Sequence, residues 1–192
     1  MRMVGRLGAR AKARELSLLE CALLALLRQS PSSGYDLRKV FAETPLAHFS
    51  DSPGAVYPAL ARLEHRGLLS SSGGSGGRKR RALRPTTAGH GALRQWLRKA
   101  PTRADLLQWR DAPMLRFAFM EEVLGREACR RFLVRYGEVL GEYVRELEAY
   151  GRDHLTQASS SGRLAFDSGV DGFRAQRRWV ERALRTLAKE DS

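Results

Sequence analysis

Apolar residues recur at helical spacing along most of this 192-residue chain, and the pattern predicts a mainly helical protein. Positions 16–27 hold the apolar stripe of a first core helix. A second helix is predicted from Ser33 to about Glu43. Ser33 and Asp36 have the spacing of a capping box, in which two side chains satisfy the first backbone N–H groups of a helix.

A third helix is predicted over residues 52–66, which carry their own start and stop signals. Ser52 can accept hydrogen bonds from the first turn, Pro53 suits a helix start, and Gly67 suits the left-handed residue that follows a helix. Pro58 falls within about the first turn, where it removes only one hydrogen bond. This segment is therefore expected to be a helix in its own right.

The two faces of this third helix differ in character. Val56, Leu60 and Leu63 fall at i, i+4 and i+7 and are predicted to face the core. The opposite face has small residues and a tyrosine at its N-terminal end, where a surface helix commonly carries Lys and Glu. Small side chains let a helix approach a groove closely. The outward positions are Gly54, Ala55, Tyr57, Pro58, Ala61, Arg62 and His65.

Two short strands are predicted after the third helix, at residues 68–72 and 78–84, around the glycine-rich loop 73–77. This pattern indicates a wing hairpin. The loop lacks the Gly-Lys-Ser/Thr ending of a nucleotide-binding phosphate loop. The basic residues that follow are expected to bind DNA phosphate, or else to form a solvated charged run: Arg78, Lys79, Arg80, Arg81 and Arg84.

Several motifs occur in the order typical of one family: Gly34-Tyr35-Asp36-Leu37, the Val-Tyr-Pro-Ala-Leu segment at 56–60, a basic strand and Thr86-x-x-Gly89. Over roughly residues 16–98 the chain resembles the PadR family of transcriptional regulators. The resemblance implies a winged helix-turn-helix DNA-binding domain followed by a helical dimerisation domain. It also implies a dimeric, ligand-responsive regulator, most often a repressor. Departures from the family pattern lie at Arg81, Ala82 and Leu83, which replace aromatic residues, and at Pro85, which replaces Leu.

Charge divides the chain into two parts. Residues 1–100 contain 18 Lys and Arg against 6 Asp and Glu, whereas residues 101–192 contain 16 against 15, so nearly all of the net charge of +13 lies in the first part. Binding to a polyanion needs such a concentration of positive charge. We predict a basic flexible arm at 1–14, solvated or inserted in a minor groove, a DNA-binding domain at 15–100 and a dimerisation domain at 101–192.

The predicted partner is double-stranded DNA, with the third helix in the major groove. In a homodimer, the two DNA-binding domains would match the two half-sites of a near-palindromic operator. Tyr57 and Arg62 are the expected contacts to phosphate or base edges, with partly exposed packing as the alternative for Tyr57. The candidate DNA-binding residues are Ser52, Gly54, Ala55, Tyr57, Arg62, Arg78, Lys79, Arg80 and Arg81.

Helices are predicted in the second part at residues 113–123, 126–155 and 167–189. The long central helix repeats apolar and aromatic residues at spacings of three and four. Such a seam packs against another helix of the same chain or of a partner. We predict a homodimer, with a bundle inside one chain as the alternative. The candidate dimerisation residues are Phe132, Tyr136, Val139, Tyr143, Leu147, Val180 and Leu184.

A small aromatic or otherwise apolar effector is a further hypothesis. Trp96 and Trp109 flank the predicted domain boundary, and Trp179 lies on the last helix. Aromatic side chains commonly line ligand pockets. The alternative is that the three tryptophans only pack the protein together.

Other functions find little support in the sequence. The four histidines have no metal-ligand spacing, and Cys21 and Cys129 lie in apolar helical patterns typical of buried thiols, with redox sensing as the alternative. No catalytic residue, metal ion or cofactor is predicted. We see no secretory signal and no run of about 18 apolar residues, so a cytoplasmic protein without membrane contact is expected. An adaptor that binds nucleic acid or protein without operator specificity is the alternative function.

Overall fold

A computed structural model describes residues 15–44, 46, 53–72, 81–108 and 112–189. These residues fall into two compact units that divide between Gly89 and His90. The division lies earlier than the boundary predicted after residue 100, which stays a prediction. The predicted arm at 1–14 lies outside the described residues. The first unit holds helices and a two-stranded sheet and the second unit is helical, which confirms the mainly helical winged-helix fold class.

Three helices form the core of the first unit: α1 (Leu18–Gln29), α2 (Gly34–Glu43) and α3 (Val56–His65). Capping boxes begin the first two, at Ser17 for α1 and, as predicted, at Ser33 for α2. A 3-10 turn over Pro53–Ala55 precedes α3, so the α-helix begins later than predicted and its N-cap residue makes no side-chain hydrogen bond.

Strands β1 (Leu69–Ser72) and β2 (Ala82–Pro85) form an antiparallel pair, with Leu69 opposite Pro85 and Ser72 opposite Ala82. Gly67 adopts φ of 68° between α3 and β1, which confirms it as the left-handed residue after the helix. Ser32, in the link between α1 and α2, exchanges two backbone hydrogen bonds with Leu83 of β2. The wing strands are thereby tied to the helical core.

Helix α4 (Thr87–Leu97) begins against the base of the wing. The Thr86 hydroxyl accepts a hydrogen bond from the Gly89 N–H at 3.1 Å and donates to the Gly67 carbonyl at 2.7 Å. The Thr86 N–H donates to the Leu68 carbonyl at 3.0 Å. Thr86 therefore caps α4 and also fastens the start of α4 to Gly67 and Leu68, between α3 and β1.

The second unit continues with α5 (Arg103–Gln108), α6 (Ala112–Ala118), α7 (Glu121–Leu124), α8 (Arg126–His154) and α9 (Ser160–Lys189). Two predicted boundaries are wrong. The single helix expected at 113–123 is two helices, because the chain turns at Phe119 and Met120. The last helix starts at Ser160, where the Ser159 hydroxyl accepts from the Gly162 N–H at 3.1 Å and satisfies part of the first turn.

Helices α8 and α9 pack along each other and share one apolar core. Four of the seven candidate dimerisation residues lie inside that core, each at most 5% exposed: Phe132, Tyr136, Val139 and Val180. Tyr143, Leu147 and Leu184 are partly buried. The seam thus packs two helices of one chain together. A contact with a partner chain stays a prediction, and it would involve the partly buried residues of the seam.

Both cysteines are buried, as expected of structural thiols, with Cys21 0% and Cys129 1% exposed. Burial, aided by the nearby Glu121 charge, raises the pKa of the Cys129 thiol. A raised pKa lowers the fraction of reactive thiolate.

Candidate nucleic-acid interface

Helix α3 separates its two faces as the sequence predicts. Val56, Leu60 and Leu63 are at most 4% exposed and contribute to the core. On the other face Tyr57 is 47% exposed, with small neighbours on both sides along the helix. The remaining outward positions are half-buried at Ala55 and exposed at Gly54, Pro58, Ala61, Arg62 and His65. An exposed helical ridge of this shape can enter a DNA groove.

The Tyr57 ring is held by α2. A Cβ added at Gly34, the first residue of α2, would lie 2.9 Å from Tyr57 Cε1. The missing side chain at Gly34 therefore makes room for the tyrosine ring, which leaves the ring half exposed beside the helix. This contact gives a physical reason for the glycine in the Gly-Tyr-Asp-Leu motif.

Arg62 is oriented by a buried carboxylate on α1. Its Nε donates to Glu20 Oε1 at 2.8 Å, while the other carboxylate oxygen accepts from the Ser17 N–H at 2.9 Å. Glu20 has a side chain only 2% exposed, whereas the Arg62 side chain is 42% exposed. Arg66 lies further away, with Nη1 3.9 Å from Glu20 Oε2. The ion pair therefore uses the Nε–H group of Arg62, which is the guanidinium nitrogen closest to the helix.

Glu20 is the functional candidate that the sequence analysis missed. Its position among apolar residues of α1 made it look like an ordinary helical residue. The available signal was Ser17-x-x-Glu20, the spacing of a capping box, which the structure confirms. Sequence alone could not show that the same carboxylate also reaches α3, because that contact joins residues 42 positions apart.

The ion pair predicts a pH dependence of stability. Burial raises the pKa of Glu20. The hydrogen bonds from Arg62 and Ser17, together with the charges of Arg62 and Arg66, lower this pKa by a larger amount. The net result is a pKa below the ordinary value of 4.5. The carboxylate therefore contributes stability above the unfolded-state pKa and loses it as the pH falls through the folded-state pKa. We expect the free energy of unfolding to drop more between about pH 6 and pH 3 in the native chain than in Glu20→Gln. Urea unfolding at the two pH values measures this difference, and equal drops would contradict it.

The described part of the wing carries two of the predicted phosphate-binding residues, Arg81 and Arg84, and both are exposed. Arg81 Nη2 donates to Glu64 Oε1 of α3 at 2.7 Å, and both groups stay partly exposed. The pair links the residue that precedes β2 to α3. Ser52, Arg78, Lys79 and Arg80 lie outside the described residues.

Residues 23–95 match the model of the transcriptional regulator PadR-like family. This segment is a PadR-like domain. It contains α3, Glu64 and the described wing strands, while Glu20 lies three residues before its first position.

A curated protein similar to part of this chain is also a transcriptional regulator. The transcriptional regulator YqjI of Escherichia coli (strain K12) is 28% identical over 92 residues, which make up 48% of this chain and 42% of that protein. The chain thus spans about two fifths of the length of the curated relatives that it matches.

Solved structures with similar folds include three from Bacillus. PadR of Bacillus subtilis in complex with operator DNA is 23% identical, with a TM-score of 0.39, and the match covers 88% of this chain and 99% of that one. The same protein in complex with p-coumaric acid is 22% identical, with a TM-score of 0.40, and the match covers 89% of this chain and 99% of that one. The PadR-like regulator BC1756 of Bacillus cereus is 21% identical, with a TM-score of 0.39, and the match covers 90% of this chain and 99% of that one.

The tryptophan hypothesis concerns three residues that follow the PadR-like domain in the sequence. Trp96 of α4 is 8% exposed. Trp179 of α9 packs edge-on against Phe117 of α6, with ring centroids 5.6 Å apart. Trp109 lies outside the described residues. A joint ligand pocket of the three tryptophans stays a prediction.

Two further classes of site were sought in the described part of the chain. No three His, Cys, Asp or Glu side chains there come together in a way that could hold a metal ion. None of the described helices is long and apolar enough to cross a membrane.

Proposed function

We propose that this chain is a sequence-specific DNA-binding transcriptional regulator that reads duplex DNA with the outer face of α3. The observation that carries the proposal is the Arg62 side chain, which is fixed through Nε to the buried Glu20 and lies on the exposed face of α3 that also carries Tyr57 and Ala61. An arginine whose inner edge is occupied can offer its terminal N–H groups to a guanine edge or a phosphate. The PadR-like domain and the net positive charge of the first 100 residues support the same function.

The contacts divide into reading and positioning groups. Tyr57 and Arg62 are proposed to touch base edges or phosphate, while Gly54 and Ala55 allow the start of α3 to approach the groove. The wing is proposed to bind the flanking phosphates through Arg81 and its neighbours Arg78, Lys79 and Arg80. Ser52 is proposed to support the beginning of the reading segment.

A homodimer is proposed as the active form, because two symmetric heads would read a near-palindromic operator. Its contacts would come from the partly exposed members of the α8 and α9 seam, namely Tyr143, Leu147 and Leu184. We further propose that the regulator is a repressor released by a small effector. Bacillus subtilis PadR supports this by analogy, since it has been solved both with operator DNA and with p-coumaric acid.

The test begins with selection of bound fragments from the source genome, followed by affinity measurements on the selected site. We expect specific binding whose affinity falls steeply with salt, because each neutralised phosphate adds about 0.9 to the log–log salt slope. Changing Arg78, Lys79, Arg80 and Arg81 together to Gln should reduce that slope by about two or more and leave sequence preference mostly intact. The matched control removes four exposed arginines of α9: Arg177, Arg178, Arg182 and Arg185.

The outcomes separate the alternatives. An unchanged slope in the wing variant would show that the wing does not touch DNA. An equal loss in the α9 control would show that overall charge, and not the wing, drives binding. Binding that is indifferent to DNA sequence would contradict a regulator with its own operator and favour the adaptor function.

A further inference from the structure

We propose that a cleft beside the end of α3 binds one phosphate of the DNA backbone, and that Arg66 is the residue that holds this phosphate. The cleft lies between α1 and the last turn of α3, and its volume is about 410 Å³. The proposal rests on the proposed function, since it adds a backbone contact to the helix that reads DNA. The described residues that line the cleft are Glu20, Ala61, Arg62, His65 and Arg66.

The two sides of α3 have different neighbours. On one side the ring of Tyr57 packs against Gly34 of α2. On the other side Arg62 contacts Glu20 of α1, and Arg66 follows four residues later on the same side. A helix that lies in the major groove has one phosphate backbone along each of its sides. The cleft on the α1 side is therefore placed for a backbone phosphate.

Two arginines converge on one carboxylate in this cleft. Arg62 Nε donates to Glu20 Oε1 at 2.8 Å, and Arg66 Nη1 lies 3.9 Å from Glu20 Oε2. Because both guanidinium groups approach the same carboxylate, they lie near each other as well. Glu20 brings one negative charge and the arginines bring two positive charges. The cluster therefore keeps one net positive charge at the cleft.

Glu20 holds the two arginines unequally. Its Oε1 accepts a hydrogen bond from Arg62, and its Oε2 accepts one from the Ser17 N–H at 2.9 Å. The distance of 3.9 Å to Arg66 is too long for a hydrogen bond. The Arg66 side chain is 31% exposed, whereas the Glu20 side chain is 2% exposed. Arg66 can therefore turn toward an incoming phosphate while Arg62 stays attached to the carboxylate.

The chemistry of the cleft selects a phosphate of duplex DNA. A guanidinium group binds a phosphate through two parallel hydrogen bonds. Glu20 is the only acid among the described lining residues, and Arg62 already balances its charge. The exposed His65 can add a ring N–H, and the small Ala61 leaves space for the phosphate. One net charge in an open cleft is too little to hold a free phosphate ion, but it adds to the other contacts that hold a duplex.

The test compares Arg66→Gln with Arg62→Gln in the full chain, using the selected operator and a duplex of unrelated sequence as probes. Arg66→Gln should weaken binding to both duplexes by the same factor, about three- to tenfold, and should lower the log–log salt slope by about 0.9. Arg66→Lys keeps the charge and should keep the slope. Arg62→Gln should weaken operator binding more than binding to the unrelated duplex, because it removes a reading contact.

Lys39→Gln is the matched control. Lys39 is another cation of the first unit, and its Nζ lies 3.9 Å from a carboxylate oxygen of Glu43, so the change removes an equally long ion pair. This control should leave the salt slope near the native value. Circular dichroism of each variant checks that a change in binding does not come from unfolding. An unchanged slope in Arg66→Gln, or an equal loss of slope in Lys39→Gln, would overturn the proposed site.

Operators with one uncharged methylphosphonate linkage at a time locate the phosphate. At one linkage the substitution should weaken binding of the native chain and have little further effect in Arg66→Gln, because that contact is already lost. The absence of any such linkage would overturn the contact. Competition by inorganic phosphate at constant ionic strength that disappears in Arg66→Gln would assign the cleft to a free phosphate instead. Equal binding of operator and unrelated duplex would contradict the regulator function, whereas the slope measured on the unrelated duplex tests Arg66 separately.

Discussion

Gly89→Ala should lower the free energy of unfolding by about 3 kcal/mol, as expected for overpacking against atoms that cannot move. Gly89 lies in the first turn of α4, where an added Cβ would press on the carbonyl oxygen of Leu68, well inside van der Waals contact. That carbonyl already accepts the Thr86 N–H, so backbone meets backbone and no side-chain rotation relieves the clash. The helical preference for Ala over Gly, about 0.5–1 kcal/mol, is too small to compensate.

Gly91→Ala is the matched control, because it lies in the same helix and a Cβ there meets nothing within 4 Å. It should be neutral or stabilising by up to about 1 kcal/mol. Urea unfolding of both variants measures the difference. If Gly89→Ala is as stable as Gly91→Ala, the close approach of α4 to the end of α3 and the start of the wing is wrong.

Glu20→Gln should weaken operator binding about five- to tenfold, and Arg62→Ala should weaken it by about tenfold or more, the range measured for loss of one base contact. Both oxygens of the Glu20 carboxylate accept hydrogen bonds, from Arg62 and from Ser17. A glutamine has one acceptor oxygen, so one of these donors would face an N–H₂ group. Arg62 would lose the negative charge that pairs with it, and it would also lose its hydrogen-bond acceptor if the N–H₂ group faced its Nε.

Ser17→Ala separates positioning from stability. This change removes the hydroxyl that accepts the Glu20 N–H and should destabilise α1 by about 1 kcal/mol, but it leaves the ion pair to Arg62 in place. Operator affinity should therefore stay near the native value below the melting range. In the Arg62→Ala background, Glu20→Gln should have little further effect on affinity. An equal loss of affinity in Ser17→Ala and Glu20→Gln would refute a positioning role for Glu20.

Much of the first unit could be predicted from the sequence because its signals are local. Ser33 and Asp36 mark the start of α2 within four residues, and Gly67 marks the end of α3 through its own backbone preference. The apolar stripe Val56, Leu60 and Leu63 assigns the faces of α3 correctly, since helical periodicity fixes which side chains share a face.

The remaining features depend on contacts distant in sequence. The Glu20 to Arg62 ion pair and the space that Gly34 leaves for Tyr57 appear only when the helices are packed. The apolar seam of α8 predicts that this helix packs against another helix. The spacing of its apolar residues is the same whether that helix is α9 or belongs to a second copy of the chain.

The backbone pairing of Ser32 with Leu83 constrains how this domain can evolve. Both hydrogen bonds involve only main-chain atoms, so they do not depend on which side chain stands at position 32. One inserted or deleted residue would instead reverse the direction of the paired N–H and C=O groups and detach the wing strand. Among relatives that keep this bridge, position 32 should vary in residue type but exclude proline, and the link should keep a constant length.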